Sequence, residues 1–143
     1  MAAVSFSACS DKSSDTAETI EEIKPEPRPN WQTPTNLHYS SMTVLLDEQA
    51  LPADVEISED DLLGAFVGDQ CRGFIEPIKD VDGRYRFYLL VNATTDDVNN
   101  KNMKVELRYY SAQKARIYTA QPFAFEYDGR LGTISKSYVP NWK

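Results

Sequence analysis

The chain has 143 residues, 41% hydrophobic and 11% aromatic, enough to furnish one domain core and to argue against disorder throughout. Its formal net charge is −7, from 15 Lys and Arg against 22 Asp and Glu. That sign withholds the positive field phosphate needs, which argues against nucleic acid, and no apolar run reaches the ~18–20 residues of a membrane-spanning helix.

Phe6-Ser7-Ala8-Cys9-Ser10 sets small residues before a cysteine, the pattern that precedes acylation in bacterial lipoproteins. Met1 to Ala8 carries no Lys or Arg and too short an apolar stretch for a full signal, so the expectation is a start site placed too late or a trimmed signal. Cys9 is the expected lipidation site; an incidental cysteine in a polar N-terminus is the competing reading. Residues 1–29 hold six acids and three bases, and Lys24-Pro25-Glu26-Pro27-Arg28-Pro29 has a proline at every second position. Such spacing favours polyproline II, so 1–29 reads as a semi-rigid tether and 30–143 as the folded domain.

From Trp31 onward the apolar period is two. Strands are predicted over Tyr39–Leu46, Val55–Ser58, Leu62–Val67 and Cys71–Ile78, with Pro77 marking an edge or an end. Asp80-Val81-Asp82-Gly83 is a hairpin turn signal. Tyr85, Phe87, Leu89 and Val91 then face one way while Arg86, Tyr88 and Asn92 face the other. Met103, Val105, Leu107 and Tyr109 repeat the pattern against Lys104, Glu106, Arg108 and Tyr110. Arg116–Thr119 and Pro122–Tyr127 follow, the latter closed by Asp128-Gly129. Seven or eight short strands at near-regular spacing predict an all-β, antiparallel, immunoglobulin-like sandwich. Trp31 and Trp142 sit at opposite ends of this domain, consistent with termini that meet and close the core.

Trp31, Tyr39-Ser40-Ser41-Met42-Thr43-Val44 and Ala65-Phe66-Val67-Gly68-Asp69-Gln70-Cys71-Arg72-Gly73 resemble a β-domain common in secreted and surface lipoproteins of Bacteroidetes. In that family a tryptophan and a Y-x-x-SMT strand precede an AFVG-x-x-CRG hairpin. The resemblance spans roughly Trp31 to Thr133 and implies an extracytoplasmic all-β module of generally uncharacterised activity, with no catalytic residues to carry over. With Cys9 it implies a lipid-anchored outer-membrane protein facing the cell surface or the periplasm. Its membrane contact would be through the acyl chains alone.

The chemistry-bearing residues point away from catalysis. His38 is the one histidine and reads as exposed, there is no G-x-S-x-G elbow, and Glu59-Asp60-Asp61 read as solvated neighbours on a turn. Two cysteines without CxxC spacing predict no metal site, and Cys71 reads as a buried small hydrophobe, a Cys9–Cys71 bridge being the alternative. Asp80-Val81-Asp82 and Asp96-Asp97 carry oxygen donors suited to calcium, but read more simply as turns; no cofactor is expected. The outward residues Arg86, Tyr88, Arg108, Tyr110, Arg116 and Tyr118 form the candidate partner surface, since tyrosines beside arginines suit protein contact or sugar stacking. Arg72 is a candidate anion contact, against hydrogen bonds to loop carbonyls or pairing with Asp61 or Asp69. Two functions fit: a non-catalytic protein-contact or adhesion module, and a carbohydrate-binding accessory to a glycan-uptake system.

Overall fold

Alternation of apolar and polar side chains builds two sheets that share one interior. The computed structural model describes residues 24–143, so Cys9 and the acidic segment around it lie outside the described residues. The strands are β1 (Leu37–Asp47), β2 (Leu62–Val67), β3 (Gln70–Ile75), β4 (Ile78–Lys79), β5 (Tyr85–Thr94), β6 (Lys104–Ser111), β7 (Arg116–Thr119), β8 (Phe123–Ala124) and β9 (Arg130–Leu131). The first sheet has the order β9-β1-β5-β4; the second has β3-β2-β6-β7, with β8 also pairing to β6. All pairings are antiparallel except β9 with β1, where Arg130 lies beside Thr43 and Leu131 beside Val44.

Met42, Val44 and Leu46 of β1 and Phe87, Leu89 and Val91 of β5 meet Leu63 and Ala65 of β2 and Val105, Leu107 and Tyr109 of β6. Phe87 and Tyr109 pack edge to face, their ring centroids 5.7 Å apart. The expected antiparallel sandwich is therefore observed. Val55–Ser58 is not a strand, although Val55 and Ile57 still pack on the core from a loop. Pro77 ends β3 early and leaves Ile78–Lys79 to pair with β5 instead.

Buried carboxylates fix the loops. Asp61 is wholly buried, where the sequence suggests a solvated turn; Glu59 and Asp60 are exposed as expected. Its carboxylate accepts hydrogen bonds from the Tyr109 hydroxyl, from the Ser58 N–H at 3.1 Å and from the Ala112 N–H at 2.8 Å. Burial, and then the Asp61 bond, raise the Tyr109 hydroxyl pKa well above its ordinary value, so the phenol keeps its proton.

The folded body begins before Asn30. Glu26 N–H donates to the Ala115 carbonyl at 2.7 Å, and the Glu26 carboxylate accepts from Ile117 N–H at 3.0 Å. Arg28 then reaches Glu76 at 2.7 Å and the Asp60 carbonyl at 3.2 Å. Trp31 ends this strap edge-on to Phe66, with 5.1 Å between ring centroids. Gly64 makes the seat, because a Cβ there would stand 2.8 Å from the Trp31 ring. Residues 26–31 thus lie on the outside of the second sheet, across the row in which Ile117, Tyr110 and Leu62 sit side by side, instead of acting as a free spacer. Trp31 and Trp142 do not close one core together: Trp142 packs edge-on to Tyr109 inside, its indole N–H donating to the Ala50 carbonyl at 2.8 Å.

The two sheets touch most closely where β3 crosses β5. A Cβ on Gly73 would overlap the Leu90 carbonyl oxygen, so the crossing requires glycine. Gly73→Ala is expected to cost about 3 kcal/mol, the upper range of overpacking. Urea denaturation measures this directly; a loss below about 1 kcal/mol would mean that the backbones do not meet there.

Candidate functional site

The six residues of the expected partner surface occupy three separate places. Arg86 and Tyr88 lie on the outer face of the first sheet, paired with Asp47 and Leu45. Arg108 and Tyr110 lie on the outer face of the second, beneath or beside the strap, and Tyr110 is buried. Arg116 and Tyr118 share the phase of Ser111 and Tyr109, so they face the interior side, with Tyr118 packed on the core. Alternation predicts which residues share a strand face, but not which face of β7 matches which face of β6. The proposed single surface is therefore wrong.

Arg72 is not an open anion contact. Its side chain is buried, both terminal nitrogens donate to Asp97, and Nη1 also donates to the Asn92 carbonyl at 3.2 Å. Gln70 accepts from Nε at 2.8 Å, and Asn92 returns a bond to the Arg72 carbonyl at 3.0 Å. The carbonyl reading survives; the acid is Asp97 instead of Asp61 or Asp69. Asp97 also accepts from Thr94 N–H at 2.7 Å and Thr94 hydroxyl at 3.0 Å. Burial opposes its ionisation, but the Arg72 and Thr94 hydrogen bonds outweigh that and hold its carboxyl below the ordinary range. Cys71 is a buried free thiol whose pKa burial raises, as expected of a small hydrophobe. His38 is half-buried rather than exposed; its Nδ1 accepts from Ser40 N–H at 3.1 Å and its ring lies 4.1 Å from that of Tyr39.

Among the described residues the outer face of the first sheet carries no strap. Here Thr43 and Leu45 of β1 sit beside Leu90 and Tyr88 of β5. The 80–83 turn folds against this face through Arg86, whose Nη1 donates to Asp80 at 2.6 Å and whose Nη2 donates to Asp82 at 2.8 Å. Tyr88 hydroxyl donates to the same Asp80 oxygen at 2.6 Å. The Tyr88 and Arg86 bonds lower the Asp80 pKa, and the Arg86 bond lowers that of Asp82, so both are ionised near neutrality. Arg86 thus engages one oxygen of Asp80 and both of Asp82, and holds the turn against the sheet. Arg86 itself is buried, and its Nε has no hydrogen-bond partner.

Two cavities open on this face. One of about 270 Å³ is lined by Asp80, Val81, Asp82, Arg86, Tyr88 and Ile134. The other, about 490 Å³, is lined by Thr43, Leu45, Arg130 and the 132–135 loop, so Ile134 forms the wall common to both. Gly132, at φ +89°, lets that loop turn tightly against the Leu45 carbonyl, a conformation that favours glycine. Apolar surface is uncovered here: Leu90 is 50% exposed, Ile78 44% and Ile134 60%.

Sequence reading passed over Leu45, Leu90, Arg130 and Ile134. A signal existed for two of them. Val44-Leu45-Leu46 and Leu89-Leu90-Val91 are unbroken apolar runs in strands that otherwise alternate, so Leu45 and Leu90 are apolar residues at outward positions. Comparison with protein-family models, with curated proteins and with solved structures found no match to this chain.

The buried Arg72–Asp97 pair sets an acid limit on stability. The native Asp97 pKa lies below the unfolded value near ~3.9, so its contribution is full above about pH 5 and is lost as pH falls through ~3.9 toward the native value. Asp97→Asn is expected to cost about 3 kcal/mol near pH 7, because it leaves Arg72 charged without its partner, and much less near pH 2. Denaturant midpoints across that range check the sign; an equal loss at both ends would contradict it.

Proposed function

We propose that this chain is a non-catalytic protein-contact module whose working surface is the outer face of the first sheet. The observation that carries this reading is an asymmetry between two otherwise similar faces. Residues 26–31 cross the second sheet over Phe66 and Tyr110 and leave Phe74 43% exposed at its β3 edge, whereas among the described residues no strap crosses the first, where Leu90, Ile78 and Ile134 stand exposed around Tyr88. Uncovered apolar side chains ringed by charge are the surface expected of a partner-binding face. The carboxylates lining the cavities are already paired with Arg86 and Tyr88, which supports a binding role over acid–base chemistry.

The carbohydrate reading has less support. Stacking on a sugar ring favours an open aromatic face, yet Tyr110 is buried, Trp31 is held against Phe66 and Trp142 against Tyr109. Tyr88 is half-buried with its hydroxyl engaged.

Anchoring through Cys9 at an outer membrane, as in the Bacteroidetes lipoproteins that the sequence resembles, belongs to the same proposal. Among the described residues no helix is long and apolar enough to cross a membrane; in this proposal the acyl chains on Cys9 make the attachment. Labelled palmitate is expected to enter the full-length chain and to be lost in Cys9→Ala; unchanged incorporation would remove the anchor from this account.

The contact face is tested by a photo-crosslinking residue at position 90, with position 118 as control, in cells that produce the protein. A discrete protein adduct from position 90, and none from 118, is the expected result. The reading fails if position 90 yields no protein adduct while the purified chain is retarded in polysaccharide affinity gels and Tyr88→Ala abolishes that retardation.

A further inference from the structure

The two cavities that share Ile134 have opposite charge at their outer ends. At one end Arg130 is exposed and its guanidinium has neither an ion pair nor a hydrogen bond among the described residues. At the other, two carboxylates face one arginine: Asp80 and Asp82 against Arg86, a net negative end whose Asp82 side chain is 46% exposed. Between them lie Leu45, Ile134 and the ring of Tyr88. The sheet register gives the order. Arg130 stands beside Thr43, Leu45 follows two residues along β1 and pairs with Tyr88, and Arg86 comes next on β5 beside Asp47.

Resting on the protein-contact reading, we infer that this groove holds one extended segment of a partner protein bearing an acidic side chain, then an apolar one, then a basic one. The acid meets Arg130, whose guanidinium can take a carboxylate through two parallel hydrogen bonds. The apolar side chain fills the wall at Leu45 and Ile134, where burial contributes roughly 25 cal/mol per Å² of apolar surface. The base meets the outward oxygens of Asp82 and Asp80. A segment with the same composition but both charges at one end satisfies only one terminus, sets a like charge beside it and leaves the other terminus without a partner, so charge placement supplies specificity. The carboxylates at the negative end are preorganised, because Arg86 and the Tyr88 hydroxyl hold them before any partner arrives.

The probe is a synthetic pentapeptide with glutamate at one end, leucine at the centre and lysine at the other, blocked at both termini. It is titrated into the isotope-labelled full-length chain at low salt. Amide shifts are expected at Thr43, Leu45, Tyr88 and residues 130–135, with affinity at least fivefold above that for the same composition with both charges at one end. Arg130→Glu, at an exposed position, is expected to lose that preference and to recover binding when lysine replaces glutamate in the probe. Ile134→Asp is expected to weaken both peptides. Amide spectra of each variant establish that it is folded. Equal binding of the two charge orders, no dependence on position 130, or shifts elsewhere would overturn the inference. If position 90 still crosslinks a protein in that event, the face stands and only the partner chemistry is wrong; if it does not, both fall.

Discussion

The arrangement depends on the contact between β3 and β5. There the backbone at Gly73 lies directly on the Leu90 carbonyl, and its neighbour Arg72 is carried into the interior. A guanidinium in that position needs a carboxylate and carbonyls around it, and the turn after β5 supplies them in Asp97 and the Asn92 carbonyl. Asp97 is in turn held by Thr94, so one buried network ties the β2–β3 hairpin of the second sheet to the end of β5 in the first. The Cys-Arg-Gly triplet is therefore a joint between layers. Its cysteine and glycine keep the volume small, and its arginine fixes the register of the crossing.

That joint and the N-terminal strap together give the two outer faces different fates. The strap covers Leu62, Phe66 and Tyr110, which become a second, smaller apolar layer outside the main core with Phe74 exposed at its edge. Arg108 belongs to that layer too, its guanidinium stacked 4.1 Å from the Phe66 ring centroid and bonded to Glu106 at 2.8 Å. No such strap crosses β1 and β5 among the described residues, although Leu45 and Arg86 at their outward positions are buried. Among the described residues, the turn at 80–83 and the loop at 132–135 border that face without crossing it, which leaves a groove between them.

The period of two was enough to read the layers, because inward residues of β1, β5 and β6 alternate cleanly with outward ones. Leu62–Val67 was legible only as a strand; its unbroken apolar run fits the coverage on both faces that the fold shows. Pairing between distant strands was not legible. Arg130–Leu131 is too short to carry a pattern, and its parallel partner lies more than eighty residues earlier in the chain. Asp61 and Asp97 looked like solvated turn residues because their neighbours Glu59, Asp60 and Asp96 are; only the fold brings Tyr109 to one and Arg72 to the other. Lys24–Pro29 looked like a spacer for a related reason. Its composition suits an extended chain, and an extended chain can stand free or lie along a sheet with equal ease.

Hydroxyl-radical footprinting of the full-length chain tests the difference between the two faces most directly. The account requires heavy labelling of Leu90 and Ile134 and protection of Phe66 and Tyr110, which are 3% and 6% exposed. Strong labelling of Phe66 and Tyr110, at a level equal to Leu90, would show that the strap does not close the second sheet and would remove the reason for assigning contact to the first.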